Sequence, residues 1–305
     1  MSHLSIEAST RLCLLQDRGR FGVRHLGVTQ GGALDWVSMA WANRLLGNSP
    51  DAPVVEITLG GFAVVARETC CLALAGADLG AQVDGQALAP WRSFILEAGQ
   101  RLQFTQPLLG ARAYLAAPGG FVAPKVLGSS ACVAREELGG LDGLGQPLHK
   151  GDSLRYAGTA VTPAAVPAAQ VPDFQAEATL QVVLGAQIGE FSGQSLFDAF
   201  NSPWTLDSRG DRMGIRLLGA ELKYQGRPMI SEGIPLGAIQ VPPDGQPIVL
   251  LNDRQTIGGY PRLGALTPLS LARLAQCLPG SGVRLVPTVQ ESAYRQHIEF
   301  ISRFA

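Results

Sequence analysis

The residues that could do chemistry in this chain fall in three polar, glycine-bearing stretches. The most unusual runs from Ser231 to Pro247, through an apolar segment at Ile248–Leu251, into Asn252-Asp253-Arg254-Gln255-Thr256-Ile257-Gly258-Gly259-Tyr260-Pro261. An apolar strand ending in five polar residues before a Gly-Gly turn is a poor way to make an ordinary loop. Buried polar groups must be satisfied, so the cluster either holds a ligand or forms an internal hydrogen-bond network. Asp253 is the expected acid/base, being a carboxylate at a strand end beside other polar groups. Asn252, Gln255 and Tyr260 are expected to line the reacting pocket, with Gln240 among the binding residues. Tyr260 has a plainer alternative, since Gly-Gly-Tyr-Pro also makes a good turn.

The second stretch is Asp207-Ser208-Arg209-Gly210-Asp211-Arg212-Met213-Gly214-Ile215-Arg216. Its arginines offer planar forks for a carboxylate or phosphate, and Arg209 and Arg212 are taken as anion binders. The plain alternative is a charged turn in which they pair with Asp207 and Asp211. The first stretch, Gln16-Asp17-Arg18-Gly19-Arg20-Phe21-Gly22, leads to Gly31-Gly32-Ala33-Leu34-Asp35. Glycine lets backbone approach another group closely, and a following helix start offers free N–H donors to an anion. Arg20 and Asp35 are therefore added to the binding set, although Asp35 could simply cap the helix and Asp17 could pair with Arg20.

Most standard catalytic signatures are missing. The sequence has no phosphate-binding G-x-x-x-x-G-K-[ST], no G-x-S-x-G elbow and no H-E-x-x-H. The four histidines are scattered and the five cysteines lack C-x-x-C spacing, so neither a metal site nor a triad is expected. Adjacent Cys70 and Cys71 would point to opposite faces of a strand, which suits reduced thiols in a cytoplasmic setting.

Many short β-like segments must position these residues, among them Arg11–Leu15, Phe62–Val65, Cys70–Ala75, Arg101–Thr105, Ala113–Ala116, Leu180–Val183 and Ile248–Leu251. Three Gly turns, at Gly99, Gly151 and Gly280, each precede an alternating strand with one core-facing side. Many short strands with turn signals predict a mainly β chain of barrel or sandwich type. Helices are few: one over Asp35–Leu46, one opened by Thr267-Pro268, and one at the C-terminus. The last is expected to start from a Thr288/Glu291 capping box and to pack Tyr294, Ile298 and Ile301 on its own domain. An Ala/Pro-rich stretch reads as a semi-rigid linker. The expected division is 1–160, linker 161–172, and 173–305.

The chain has 305 residues, of which 46% are hydrophobic and 16% charged, with a formal net charge of −1. That composition excludes disorder and argues against nucleic acid or an anionic membrane as partner. No apolar run reaches the roughly 18 residues of a membrane span, and Met1-Ser2-His3-Leu4 lacks the layout of a signal peptide.

Along nearly its whole length the chain resembles the allophanate hydrolase subunit 2 family, the biotin-dependent carboxyltransferase A/B-domain family that contains the 5-oxoprolinase C subunits and the KipA proteins. The resemblance rests on Gln16-Asp17-Arg18-Gly19-Arg20, Gly31-Gly32-Ala33-Leu34-Asp35, Ala42-Asn43-Arg44-Leu45-Leu46-Gly47-Asn48 and Glu56-Ile57-Thr58-Leu59-Gly60. It continues in Pro118-Gly119-Gly120-Phe121, Asp211-Arg212-Met213-Gly214, Gly237-Ala238-Ile239-Gln240-Val241-Pro242 and Gln255-Thr256-Ile257-Gly258-Gly259-Tyr260-Pro261. It implies two cyclophilin-like β-barrel domains with a few short helices. It also implies a complex with 5-oxoprolinase subunits A and B that opens 5-oxo-L-proline to L-glutamate, with ATP used at the level of the complex. The family leaves two other roles open: carboxyl transfer to a urea-like substrate, with biotin brought by another chain, and KipA-like regulation of a kinase inhibitor. Gly185-Ala186-Gln187 and Ser130-Ala131-Cys132 depart from the family pattern, and those loops are given no role.

Overall fold

Glycine turns cut the chain into short strands that sort into two groups by what they bury. The computed structural model describes residues 2–158 and 162–304. Two compact units result, Met1–Gly22 with Gly31–Gln175, and Val23–Gln30 with Ala176–Ala305. The second unit is thus discontinuous in sequence.

In the first unit, one sheet has the order Ser153–Tyr156, Ser2–Ala8, Phe62–Ala66, Arg101–Phe104, Ala81–Val83, Gln86–Ala87. The other runs Cys13–Gln16, Val54–Thr58, Leu109–Ala116, Cys70–Asp78, Arg92–Leu96. Strands Arg101–Phe104 and Ser153–Tyr156 alternate in burial, as their turn-then-alternate sequences predict. Their inner faces share one core with the second sheet, including Leu4, Leu72, Leu74, Leu102, Phe104 and Leu154. Cys70–Asp78 departs from alternation because both its faces are covered. Helix α1 (Trp36–Arg44), buried over Val37–Asn43, packs on this sheet. Gly76 makes that approach possible: its φ is +97°, and a Cβ there would meet the Arg112 carbonyl oxygen at 2.5 Å and the Ser38 Cβ at 3.3 Å.

The second unit is a closed barrel in the order Ala178–Leu184, Arg262–Leu266, Ala238–Gln240, Ile248–Leu250, Gly214–Leu218, Trp204–Leu206, Gly282–Thr288. It closes where Gly282–Thr288 pairs in parallel with Ala178–Leu184. Leu180, Val182, Trp204, Leu217, Ile239, Val249, Leu263 and Leu285 are buried in this unit. Three helices flank the strands: α2 (Gly193–Asn201), α3 (Pro268–Ala275) and α4 (Gln290–Ile301).

Several local expectations change. The stretch read as a linker begins at Val161, which with Thr159 and Ala160 lies outside the described residues. Its described part is held to the first unit, where Ala164 exchanges hydrogen bonds with Ser93 and Val166 N–H donates to the Trp91 carbonyl. Helix α2 is an addition to the helices expected from sequence. For α4 the N-cap is Val289 and no side chain caps it, so the Thr288/Glu291 box does not form. Tyr294 (66%), Ile298 (39%) and Ile301 (37%) stay exposed instead of packing on their own unit.

Candidate functional site

The strand Ile248–Leu250 ends in a tight turn that buries three polar residues in a row: Asn252, Asp253 and Arg254. Backbone bonds extend the strand beside the loop before Gly214–Leu218, with Leu251 N–H donating to the Met213 carbonyl and Asp253 N–H to the Arg212 carbonyl. Asp211 shapes that loop by accepting from the N–H groups of Met213 and Gly214. The register brings Arg212 opposite Asp253, and they form a bidentate pair. Nε donates to Oδ2 at 2.9 Å and Nη2 to Oδ1 at 3.1 Å. Their side chains are only 17% and 9% exposed, so the fork holds the carboxylate with little solvent screening.

Arg254 turns the other way, into the unit, and is 2% exposed. Its Nη1 donates to the Leu251 carbonyl and its Nε to the Ile234 carbonyl, both at 3.2 Å, with Nη2 3.5 Å from Gln30 Oε1. Arg24 reaches the same carbonyl from the segment Val23–Gln30: its Nη2 donates to the oxygens of Ile234 at 2.7 Å and Thr256 at 3.1 Å. Burial first, then the charge of Arg24, brings the Arg254 guanidinium down to about 9. Burial also lowers Arg24.

Gln240 lies at the end of Ala238–Gln240 and is 3% exposed, yet its side chain makes no hydrogen bond among the described residues. A Cβ on Gly258 would sit 3.0 Å from its Nε2 and 2.6 Å from Ile234 Cδ1, so only glycine lets the backbone pass this close to both side chains. Gln255 is half-buried and Tyr260 is 48% exposed; neither side chain has a hydrogen-bond partner among the described residues.

The remaining expected residues lie apart from this turn. Arg209 pairs with Asp207, Nη2 to Oδ2 at 2.6 Å, and Arg216 pairs with Asp244. These two pairs line an open groove of about 450 Å³ with Gly214 and Ile248. Arg209 is thus already neutralised by its neighbour, as in the charged-turn reading. In the first unit Arg20 is 1% exposed and donates to the carbonyls of Val126, at 3.0 Å, and Ala131, at 2.7 Å. It is a scaffold residue that ties two loops together. Asp35 caps α1, accepting from Ser38 N–H at 3.0 Å and Ser38 Oγ at 2.5 Å. Its own N–H donates to the Tyr114 hydroxyl, which in turn donates to Glu56. Burial, reinforced by Glu56 and Asp35, raises the Tyr114 phenol well above its ordinary value. Asp35 thus serves as a helix cap within this network.

The family description "Carboxyltransferase domain, subdomain A and B" matches residues 26–287. The chain belongs to this carboxyltransferase-domain family. It is 38% identical over 291 residues to the 5-oxoprolinase C subunit of Escherichia coli (strain K12), covering 92% of this chain and 90% of that one. To the 5-oxoprolinase C subunit of Haemophilus influenzae it is 33% identical over 281 residues, covering 92% and 89%. Its fold matches the solved K. lactis urea amidolyase with a TM-score of 0.92 at 24% identity, covering 99% of this chain and 20% of that much longer one.

The family's mainly β architecture therefore delivers the polar turn after Ile248–Leu250 as a built, largely buried feature. Composition alone points to this turn, but it gives Arg254 within it no role and leaves Arg24 and Gln30 unmarked. Nothing in the spacing of Arg24 or Gln30 marks them, because their partners lie more than 200 positions away.

Proposed function

We propose that this chain is the C subunit of an ATP-dependent 5-oxoprolinase, working with subunits A and B in a cytoplasmic complex that opens 5-oxo-L-proline to L-glutamate. The observation that carries the reading is the 38% identity to a 5-oxoprolinase C subunit over nearly the full length of both chains. No helix among the described residues is long and apolar enough to cross a membrane, and no described group of His, Cys, Asp or Glu is arranged to hold a metal.

Opening a lactam breaks a C–N bond, so a proton must leave the attacking water and another must reach the departing nitrogen. ATP, bound at the level of the complex, supplies the drive for this step. Within this chain Asp253 would handle a proton, and the ion pair with Arg212, which fixes the orientation of its carboxylate, supports that role. Asn252, Gln255 and Tyr260 lie on either side of it in the same stretch and would orient the ring through hydrogen bonds, together with Gln240. Each carboxylate oxygen has two lone pairs, so accepting from Arg212 does not by itself disqualify Asp253 as a base.

The test is 5-oxoproline-dependent ATP hydrolysis by the three-subunit complex, assembled with and without this chain and with Asp253→Asn. Activity is expected only when this chain is present, and the Asn variant is expected to fall by about a hundredfold or more, the range of a lost acid/base. Full turnover without the chain would sink the assignment; near-normal turnover by Asp253→Asn would remove Asp253 from the chemistry. A chain that leaves 5-oxoproline use untouched but supports carboxyl transfer from carboxybiotin to urea would point to that reaction instead.

A further inference from the structure

Five arginines of the second unit are paired with carboxylates. Arg209, Arg212, Arg216, Arg262 and Arg284 each meet a carboxylate: Asp207, Asp253, Asp244, Glu232 and Glu177 respectively. Arg24 and Arg254 meet none among the described residues, although Arg254 is the more deeply buried of all these arginines. Both donate to the single carbonyl of Ile234, which puts two positive charges side by side in a poorly solvated place. Burying one uncompensated charge is costly, and a like charge beside it adds repulsion. Backbone carbonyls and the Gln30 amide offset part of that cost but carry no net charge.

Two donors around this pair are left over. Arg24 Nη1 is buried without a hydrogen-bond partner. The Gln240 amide belongs to a buried side chain and is unbonded, and it lies against Gly258 near the Ile234 side chain. A missing negative charge and two unused donors around one residue describe a seat for a small planar anion.

We infer that Arg24 and Arg254, with the Gln240 amide, bind the carboxylate of the lactam substrate. This rests on the 5-oxoproline reading above, because that lactam carries one carboxylate on the ring. The carboxylate would accept from Arg24 Nη1 and the Gln240 amide, while the two guanidiniums supply the neutralising field. Asp253 adjoins Arg254 in sequence, so the seat and the proposed acid/base are carried by the same turn.

The test uses the assembled complex and the full-length chain, wild type against Arg24→Gln, Arg24→Lys and Arg254→Gln. In 5-oxoproline-dependent ATP hydrolysis, Arg24→Gln is expected to raise KM about tenfold or more while kcat changes less, the mark of lost ground-state binding. Arg24→Lys should recover part of the affinity. In thermal melting without ligand, Arg24→Gln should be no less stable than wild type, because one of two repelling charges is gone. Acetate should raise the melting point of wild type more than inorganic phosphate does, and the rise should vanish in Arg24→Gln.

An unchanged KM in both Gln variants overturns the inference while leaving the 5-oxoprolinase reading intact. So does an acetate response that survives Arg24→Gln, or a strong loss of stability in that variant without ligand. A larger response to phosphate than to acetate overturns the carboxylate assignment. If the complex shows no 5-oxoproline turnover at all, that reading fails by itself, and the acetate arm still decides whether the seat exists.

Discussion

Asp207 and Asp253 are both clasped by arginine, yet their surroundings give the two pairs different meaning. Arg209 is 80% exposed, so its bonds to Asp207 are open to salt. Those side-chain bonds, followed by the Arg209 backbone N–H, hold the Asp207 carboxyl down to about 2. A depressed folded value means that the stabilisation is present above the ordinary carboxylate range near 4 and is lost as the pH falls towards 2. A carboxyl-carbon NMR titration at low salt should place Asp207 near 2, and Arg209→Gln should return it towards the ordinary range. A wild-type midpoint near 4 would refute the clasp. A charged turn is readable here from sequence, and Asp207 with Arg209 fits it because the two are neighbours. Arg212 is legible only as a cation: its partner is 41 positions away and is chosen by strand register, which no local pattern records. Arg24 is not legible at all, for the same reason at longer range.

Caps and faces decide the helices, and two of them make a controlled comparison. Thr267 caps α3 by accepting from Ser270 N–H, and its hydroxyl also meets Ser270 Oγ at 3.0 Å in a buried setting. Thr267→Ala should cost about 1–2 kcal/mol in urea unfolding. On α4, Tyr294→Ser should stay within about 0.5 kcal/mol, since the ring is two-thirds exposed and a surface change away from packed features costs little. A larger loss at Tyr294 would mean that the helix packs more tightly than the structure has it. The Thr-Pro start of α3 is readable because cap and proline are adjacent. The α4 face misleads because an amphipathic stripe specifies an apolar side without saying whether anything lies against it. Helix α2 is no shorter than α1 or α3 and Ser192 caps it in the usual way, but the weak helix former Gly193 at its first position hides the start.

Taken whole, the mainly β architecture is open to reading because each glycine turn and its alternating strand is a local event. The arrangement of strands into one closed barrel and one pair of sheets is not, since it depends on pairings distant in sequence, such as Gly282–Thr288 with Ala178–Leu184. Thiol chemistry tests the packing of both units at once. Cys13, Cys70, Cys71 and Cys132 are buried and Cys277 is partly accessible, and all five are unbridged. Burial also raises the Cys70 thiol, which lowers its thiolate fraction. A chromogenic disulfide reagent should therefore modify Cys277 alone in the native protein and all five thiols in denaturant; rapid native labelling of Cys70 or Cys132 would contradict the packing.

The discontinuity of the second unit bears on how this protein can be recombined. A chimaera joined after Gln175 looks like a clean exchange of barrels between relatives. It would nevertheless leave residues 23–30 with the recipient, so the transplanted Arg254 would meet a stranger's side chains in place of Arg24 and Gln30. Crossovers in this lineage should succeed when they travel as two matched pieces, a short early insert and a long late one, and fail when the late piece is moved alone.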